Sequence, residues 1–305
     1  MSARAEFRGS AGSFHMTEHE QIPSERESDG VSAGMTLTRL LLEHRSVEAV
    51  RRQLVDSPLQ AVLDRHEAGA RQALAVLQLV DDPAEPGLQG CRRLFDAAAG
   101  VSGRAGVALY ALDDEAMLAA ATVEALELLA VLGVGRPGQR VLDIGCGIGR
   151  FEAALAGKVA SITGIDLSPE MIGLARQRCA GLDNVELRVC DGVDLGMFPD
   201  GSYDAVIAID SFPFLYRAGG VDLAERHVRE AARVLGQVGE FVILNLSYRG
   251  DLARDVEDAR RFAAAAGLSL QRAGTTDLRT WDGRTFHFHK DSPSSGRSTA
   301  PQAYL

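Results

Sequence analysis

Apolar residues in the first part of the chain recur at helical spacing: Val47, Val50 and Leu54, then Leu59, Val62 and Leu63, then Ala70, Leu74 and Leu77. Steps of three and four place such residues on one helix face, so residues 37–79 are expected to form amphipathic helices. Two of them should meet near Ser57-Pro58, because serine caps free N–H groups and proline lacks the N–H that would go unpaired in a first turn. A loop is expected over residues 81–87, then helical segments over 91–99 and 113–132. From Arg140 the pattern changes to short β-rich apolar runs separated by helical stretches. Strands are expected near 140–144, 161–165, 185–190, 203–209, 238–246, 268–273 and 284–289, and helices near 149–157, 169–179, 220–235 and 251–266. Such alternation builds an α/β fold with a mainly parallel sheet. The last two strands, joined through Asp282-Gly283, should form a hairpin that carries an antiparallel strand to the sheet edge.

The flanks lack this periodicity. Residues 1–34 are rich in Ser, Gly, Glu and Arg and are expected to be a disordered tail. Glu6-Phe7, Gly9-Ser10 and His15-Met16 are dipeptides that common cloning sites encode, which suggests an added leader ahead of a natural start at Met16. The expected organisation is a tail over 1–34, a helical cap or substrate-binding region over 35–132, a catalytic domain over 133–290 and a frayed tail over 291–305.

Composition narrows the function. With 305 residues, 46% of them hydrophobic, the chain can bury a sizeable core and exceeds the usual size of one domain. A net charge of -10 opposes a polyanionic partner, so nucleic acid is not the expected substrate. Cys91, Cys146, Cys179 and Cys190 show no C-x-x-C spacing, so no metal site is expected and a reducing cytosol fits. No apolar run approaches the length of a membrane span.

The chemistry concentrates in Val141-Leu142-Asp143-Ile144-Gly145-Cys146-Gly147-Ile148-Gly149-Arg150-Phe151, a strand entering a glycine-rich turn and then a helix. Glycines 145, 147 and 149 allow a sharp turn and close approach of a ligand to the backbone. Asp143 just before them would repel a pyrophosphate but attract an ammonium. About twenty residues on, a second strand ends in Asp166, placed to accept both hydroxyls of a ribose. Ser168 and Pro169 read as the cap and first turn of the next helix.

These segments resemble motif I and the following acidic position of the class I S-adenosylmethionine-dependent methyltransferases, and the resemblance covers roughly 133–290. It implies a Rossmann-like seven-stranded, mainly parallel sheet with a final antiparallel strand, behind an N-terminal helical cap. It implies S-adenosylmethionine as cofactor, held by Asp143, the turn Gly145, Cys146, Gly147 and Gly149, and Asp166. Leu167 and Met171 would flank the adenine, or else pack the helix face. Asp191 would meet the adenine amino group beside Gly192, the alternative being a turn-forming Asp-Gly. The fourth strand, with Ile209 against the cofactor and Asp210 beside the transferred methyl, looks like motif IV, although it departs from the Asn-Pro-Pro-Tyr pattern of nucleic-base methyltransferases.

Phe212, Phe214 and Tyr216 either wall an acceptor or pack the loop that follows. Tyr110 closes over the cofactor or sits in the core. His227 reads as a satisfied, partly buried side chain. His287 and His289 share a face of the last strand, and His287 is the candidate general base. The expected reaction is direct methyl transfer to a small-molecule acceptor, a specialised metabolite or quinone-like compound, with a homodimer left open. The rivals are a protein that binds S-adenosylmethionine without transferring its methyl and a nicotinamide oxidoreductase.

Overall fold

The computed structural model describes residues 30–81 and 86–292. Seven strands form one sheet in the order β3-β2-β1-β4-β5-β7-β6: β1 (Arg140–Ile144), β2 (Ser161–Asp166), β3 (Val185–Val189), β4 (Tyr203–Ile209), β5 (Leu235–Leu244), β6 (Ser269–Thr276) and β7 (Arg284–Lys290). The first five are mutually parallel. Their apolar runs are continuous, not alternating, because helices cover both faces. On one face Val141, Ala205, Ile207, Val242 and Leu244 meet Phe151 and Leu155 of α8 (Arg150–Leu155), Met171 of α9 (Pro169–Arg178) and α7 (Glu115–Val131). On the other, Leu142, Val206, Phe241 and Ile243 meet α10 (Phe212–Val234) and α11 (Leu252–Ala266). Between β1 and β4 the strand order reverses, which opens a crevice at the carboxyl ends where sheets of this type bind ligands.

Two expectations change. The hairpin forms, but antiparallel β7 lies between β5 and β6, so β6 holds the edge. Burial explains this: Phe286 and Phe288 of β7 are fully buried, and Phe288 stacks on Phe241 at 5.6 Å, whereas β6 is mostly exposed or half-buried. The residues expected as a loop after β4 instead begin α10 at Phe212, and the helix breaks only at Gly220, whose φ of 66° leaves the helical region.

In front of the sheet stand α1 (Val31–His44), α2 (Val47–Gln53), α3 (Pro58–Arg65), α4 (Glu67–Asp81), α5 (Gly87–Val101), α6 (Gly103–Val107) and a 3-10 turn over Leu109–Ala111. Helix α1 begins inside the expected tail and buries Val31, Ala33 and Gly34. The first 29 residues, including the Met16 start, and most of the C-terminal tail lie outside the described residues. Ser57 caps α3 through the Leu59 N–H at 3.3 Å, with Pro58 in the first turn as the sequence implied. Helices α1 to α4 share a core of Leu37, Leu41, Val50, Leu59, Leu63 and Leu77. No helix among the described residues is long and apolar enough to cross a membrane.

Two glycines dock this bundle onto the turn that carries Tyr110. A Cβ on Gly34 would stand 1.9 Å from the Tyr110 carbonyl oxygen, and one on Gly69 would stand 1.6 Å from that of Leu112. Backbone cannot yield as a flexible side chain can, so overpacking should be costly here. Gly69→Ala is expected to lower stability by about 1–3 kcal/mol. Urea unfolding measures this, and an unmoved midpoint would show that the helix shifts freely on the turn.

Candidate active site

The crevice is built around the turn after β1. Gly145, Gly147 and Gly149 all hold positive φ, at 80°, 53° and 74°. Their missing side chains also leave room for neighbours: a Cβ would meet Ser211 Cβ at 2.4 Å, Val107 Cγ1 at 2.6 Å and Ala175 at 3.0 Å respectively. The N–H groups of Gly145 and Cys146 donate to the Ile165 carbonyl at 2.8 and 3.0 Å, which ties the turn to β2. Ser211 Oγ donates to the Ile144 carbonyl and ties β1 to β4.

Beneath the turn lies a buried pair of carboxyl groups, Asp143 of β1 and Glu152 of α8. Asp143 Oδ1 and both oxygens of Glu152 receive no hydrogen bond from a neighbouring N–H or O–H. Burial pushes Asp143 up to about 7, against the lowering effect of contact with Glu152. Burial, then the charge of Asp143, raises Glu152 well above the ordinary carboxyl range. Glu152 therefore keeps its proton beside Asp143. Cys146, also raised by burial, packs beside Glu152. A Cβ on Gly164 would stand 2.4 Å from Glu152 Oε1, so that glycine is the space the carboxyl occupies.

Asp166 at the end of β2 accepts from the Gly147 N–H at 3.0 Å and the Ser168 N–H at 2.9 Å. Burial lifts its carboxyl to about 6, although both N–H groups act to lower it. Ser168 Oγ caps α9 through the Met171 N–H and is itself bonded to Asp96 of α5. Next to Asp166, a cavity of about 200 Å³ is lined by Leu167, Cys190 and Asp191 from the loops after β2 and β3 and by Leu88, Gln89 and Arg92 from α5. Asp191 Oδ1 accepts from the Val193 N–H, so it also forms the turn at Gly192. A Cβ on Gly192 would strike Leu167 at 2.6 Å. Met171 is fully buried and reaches toward Gly106 of α6, away from this cavity.

At the tip of β4, Asp210 adopts a φ of 59°, and Ile209 precedes it at 7% exposure. Asn245 Nδ2 and the Tyr248 hydroxyl both donate to Asp210 Oδ1, at 2.7 and 2.8 Å, while Oδ2 takes no hydrogen bond among the described residues. Burial raises the Asp210 carboxyl above its ordinary value despite these donors. Desolvation and the neighbouring Asp210 charge push the Tyr248 phenol well above its usual range, so it keeps its proton. Across the crevice, Tyr110 is 5% exposed, lies 5.9 Å from the Trp281 ring and accepts from Arg150 Nη1 at 3.2 Å. Phe214 packs edge-on to Phe95 at 4.7 Å and to Tyr248 at 6.2 Å.

The three aromatic candidates after β4 thus separate. Phe214 belongs to the crevice wall, Phe212 packs in the core against Phe241, and the Tyr216 hydroxyl turns to Asp258 of α11. His227 donates to or accepts from nothing in the crevice: its Nδ1 meets the Leu223 carbonyl within α10. His287 lies opposite Val242, two residues before the end of β5, and its Nε2 sits 2.8 Å from Glu240 Oε2, which His289 also reaches at 3.0 Å. The structure therefore gathers Asp143, the glycine turn, Asp166, Leu167, Asp191, Asp210 and Tyr110 around the strand tips, while the ring of His287 is engaged by Glu240. Reading for chemistry overlooked Arg150, Glu152, Asn245 and Tyr248. The signal for the last two was their place just after a parallel strand.

Residues 142–243 match the family model described as a methyltransferase domain. These residues are a class I S-adenosylmethionine-dependent methyltransferase domain. The chain is 34% identical over 157 residues to a demethylmenaquinone methyltransferase of Tropheryma whipplei, covering 52% of this chain and 59% of that protein. A ubiquinone biosynthesis O-methyltransferase of Xanthomonas campestris is 41% identical over 78 residues, covering 25% of this chain and 33% of that protein. The chain thus spans less than two thirds of the length of either relative. The fold is shared with magnesium protoporphyrin IX methyltransferase from Synechocystis, solved with bound S-adenosylmethionine, at a TM-score of 0.51 and 21% identity over 69% of this chain and 100% of that one. S-adenosylmethionine is the cofactor of the family, and the site fits it: an orphaned carboxylate oxygen of Asp143 lies below a turn that only glycine can form.

The raised Glu152 has a measurable sign. A carboxyl that keeps its proton in the fold but loses it on unfolding lowers stability as pH rises above about 4.5. Glu152→Gln removes that titration, so the melting temperature of the variant relative to the parent is expected to climb between pH 5 and pH 8. A difference that stays flat with pH would mean that Glu152 is ionised in the fold.

Proposed function

We propose that the chain transfers the methyl group of S-adenosylmethionine to a small-molecule acceptor, a quinone-like aromatic or a related specialised metabolite. The observation that carries this reading is the alignment of Asp143, the glycine turn, Asp166 and Asp210 along the carboxyl ends of β1, β2 and β4. When bound, the cofactor supplies a methyl group made electrophilic by its sulfonium, so transfer needs only an aligned nucleophile and no covalent enzyme intermediate. Asp166 is the partner of the ribose hydroxyls, with Leu167 and Asp191 beside the adenine. Asp143 draws the ammonium.

Asp210 stands where the acceptor must approach. Its Oδ1 is fixed by Asn245 and Tyr248, which leaves Oδ2 to receive a hydrogen bond or a proton from an acceptor hydroxyl. The raised affinity of that carboxyl for a proton suits it as a base. Phe95, Phe214, Tyr110 and Trp281 offer flat apolar surface to an aromatic acceptor. The names of the two relatives, both quinone-related, favour the same acceptor class.

Two substitutions test binding and chemistry separately. Asp166→Ala is expected to weaken S-adenosylmethionine binding by about 1–3 kcal/mol in calorimetry, from the lost ribose hydrogen bonds. Asp210→Asn should leave that affinity within about twofold while lowering kcat by roughly 10²–10⁴. Tight cofactor binding by the parent chain with no labelled methyl reaching any quinone-like phenol would overturn the transferase reading.

A further inference from the structure

Arg150 is a buried cation without an anion. It is 7% exposed, its one hydrogen bond among the described residues goes to the Tyr110 hydroxyl, and no described carboxylate lies within the 4.0 Å of an ion pair. Three arginines elsewhere are matched directly: Arg249 to Asp255 and Asp258, Arg233 to Glu230 and Asp200, Arg140 to Asp204. Its guanidinium carbon lies 4.6 Å over the Phe151 ring, a cation–π contact that offsets part of the lost hydration but accepts none of the N–H groups. Burying a charge with so little compensation is unfavourable unless an anion completes it.

The mirror image lies on the same turn. Asp143 is a buried acid with an oxygen that no donor reaches, and it precedes the glycines just as Arg150 follows them. The two do not pair with each other. An acid lacking a donor and a cation lacking an acceptor, set at the two ends of one turn, are complementary to a zwitterionic α-amino acid. We infer that Arg150, with Tyr110, is the carboxylate-binding group of the site, and that the carboxylate is that of the methionine end of the cofactor. This inference rests on the reading of the crevice as an S-adenosylmethionine site.

Tyr110 completes the clamp. Its oxygen accepts from Arg150, and burial holds the phenol proton above its usual range, so the hydroxyl remains free to donate to the same carboxylate. The other charges acting on Arg150 are Asp210 from the tip of β4 and Asp143 from β1, both beyond salt-bridge distance. They hold the arginine charged without satisfying its N–H groups. A planar fork of N–H donors matches a carboxylate in two-point contact, which an ammonium side chain cannot do.

Decarboxylated S-adenosylmethionine separates the possibilities, because it keeps the sulfonium, nucleoside and amine and lacks only the carboxylate. By calorimetry the parent chain is expected to bind S-adenosylmethionine about 10- to 100-fold more tightly than this analogue. Arg150→Met should bring the two ligands within about threefold of each other, through weaker binding of S-adenosylmethionine alone. Tyr110→Phe should reduce the preference in part. Equal binding of the two ligands by the parent chain would overturn the inference without any variant, as would an Arg150→Met protein, folded by circular dichroism, that still prefers the carboxylated ligand. Failure of the parent to bind either ligand would instead remove the cofactor reading on which the inference stands.

Discussion

The tip of β1 is held to β2, β4, α6 and α9 at once, and it can be so held only because three of its residues have no side chain. Each glycine of the turn combines a left-handed backbone with a neighbour standing where a Cβ would be. The turn is therefore fixed from several directions before any ligand arrives. Its N–H groups reach Ile165 and Asp166, so the geometry of the second strand tip follows from that of the first. Preorganisation of this kind lets a ligand bind without ordering a loop.

The same rigidity makes unmatched charge tolerable. Asp143, Glu152 and Arg150 are all buried within a single short segment, and in solvent each would be better hydrated. Glu152 offsets part of the strain by remaining protonated, while Asp210 is held by two donors to one oxygen. Stability is thus given up along the strand tips where it is useful to have groups that lack partners. The core beneath them, Leu142, Val206, Phe241, Phe286 and Phe288, is wholly apolar and supplies the cohesion that this arrangement needs.

Much of this was legible in the sequence, for reasons that differ from element to element. The runs at Val141-Leu142 and Val206-Ile207 are apolar on both faces, which marks central parallel strands, and their boundaries agree with the expectation within a residue or two. Ser57-Pro58 and Ser168-Pro169 announced helix starts because capping is local. Where a partner is remote in sequence the reading was weaker. The insertion of β7 beside β5 depends on Phe288 meeting Phe241, a contact that no spacing rule encodes. Helix α10 began early because an aromatic-rich stretch with a proline in its first turn looks as much like a loop as a helix. Arg150 and Glu152 were passed over because charged residues at a helix start ordinarily face water, and here they face inward.

The two borders of the sheet have a further consequence. At one, β6 slips register twice against β7 and carries mainly polar residues; at the other, β3 presents Glu186 and Arg188, paired with each other. A stray strand from an unfolding neighbour would find an irregular ladder on one side and a charged one on the other, so neither offers a template for end-on growth. The long apolar strands that make the centre cohesive are thereby kept from seeding aggregates, a safeguard that costs the crevice nothing because it sits at the opposite extremes of the sheet.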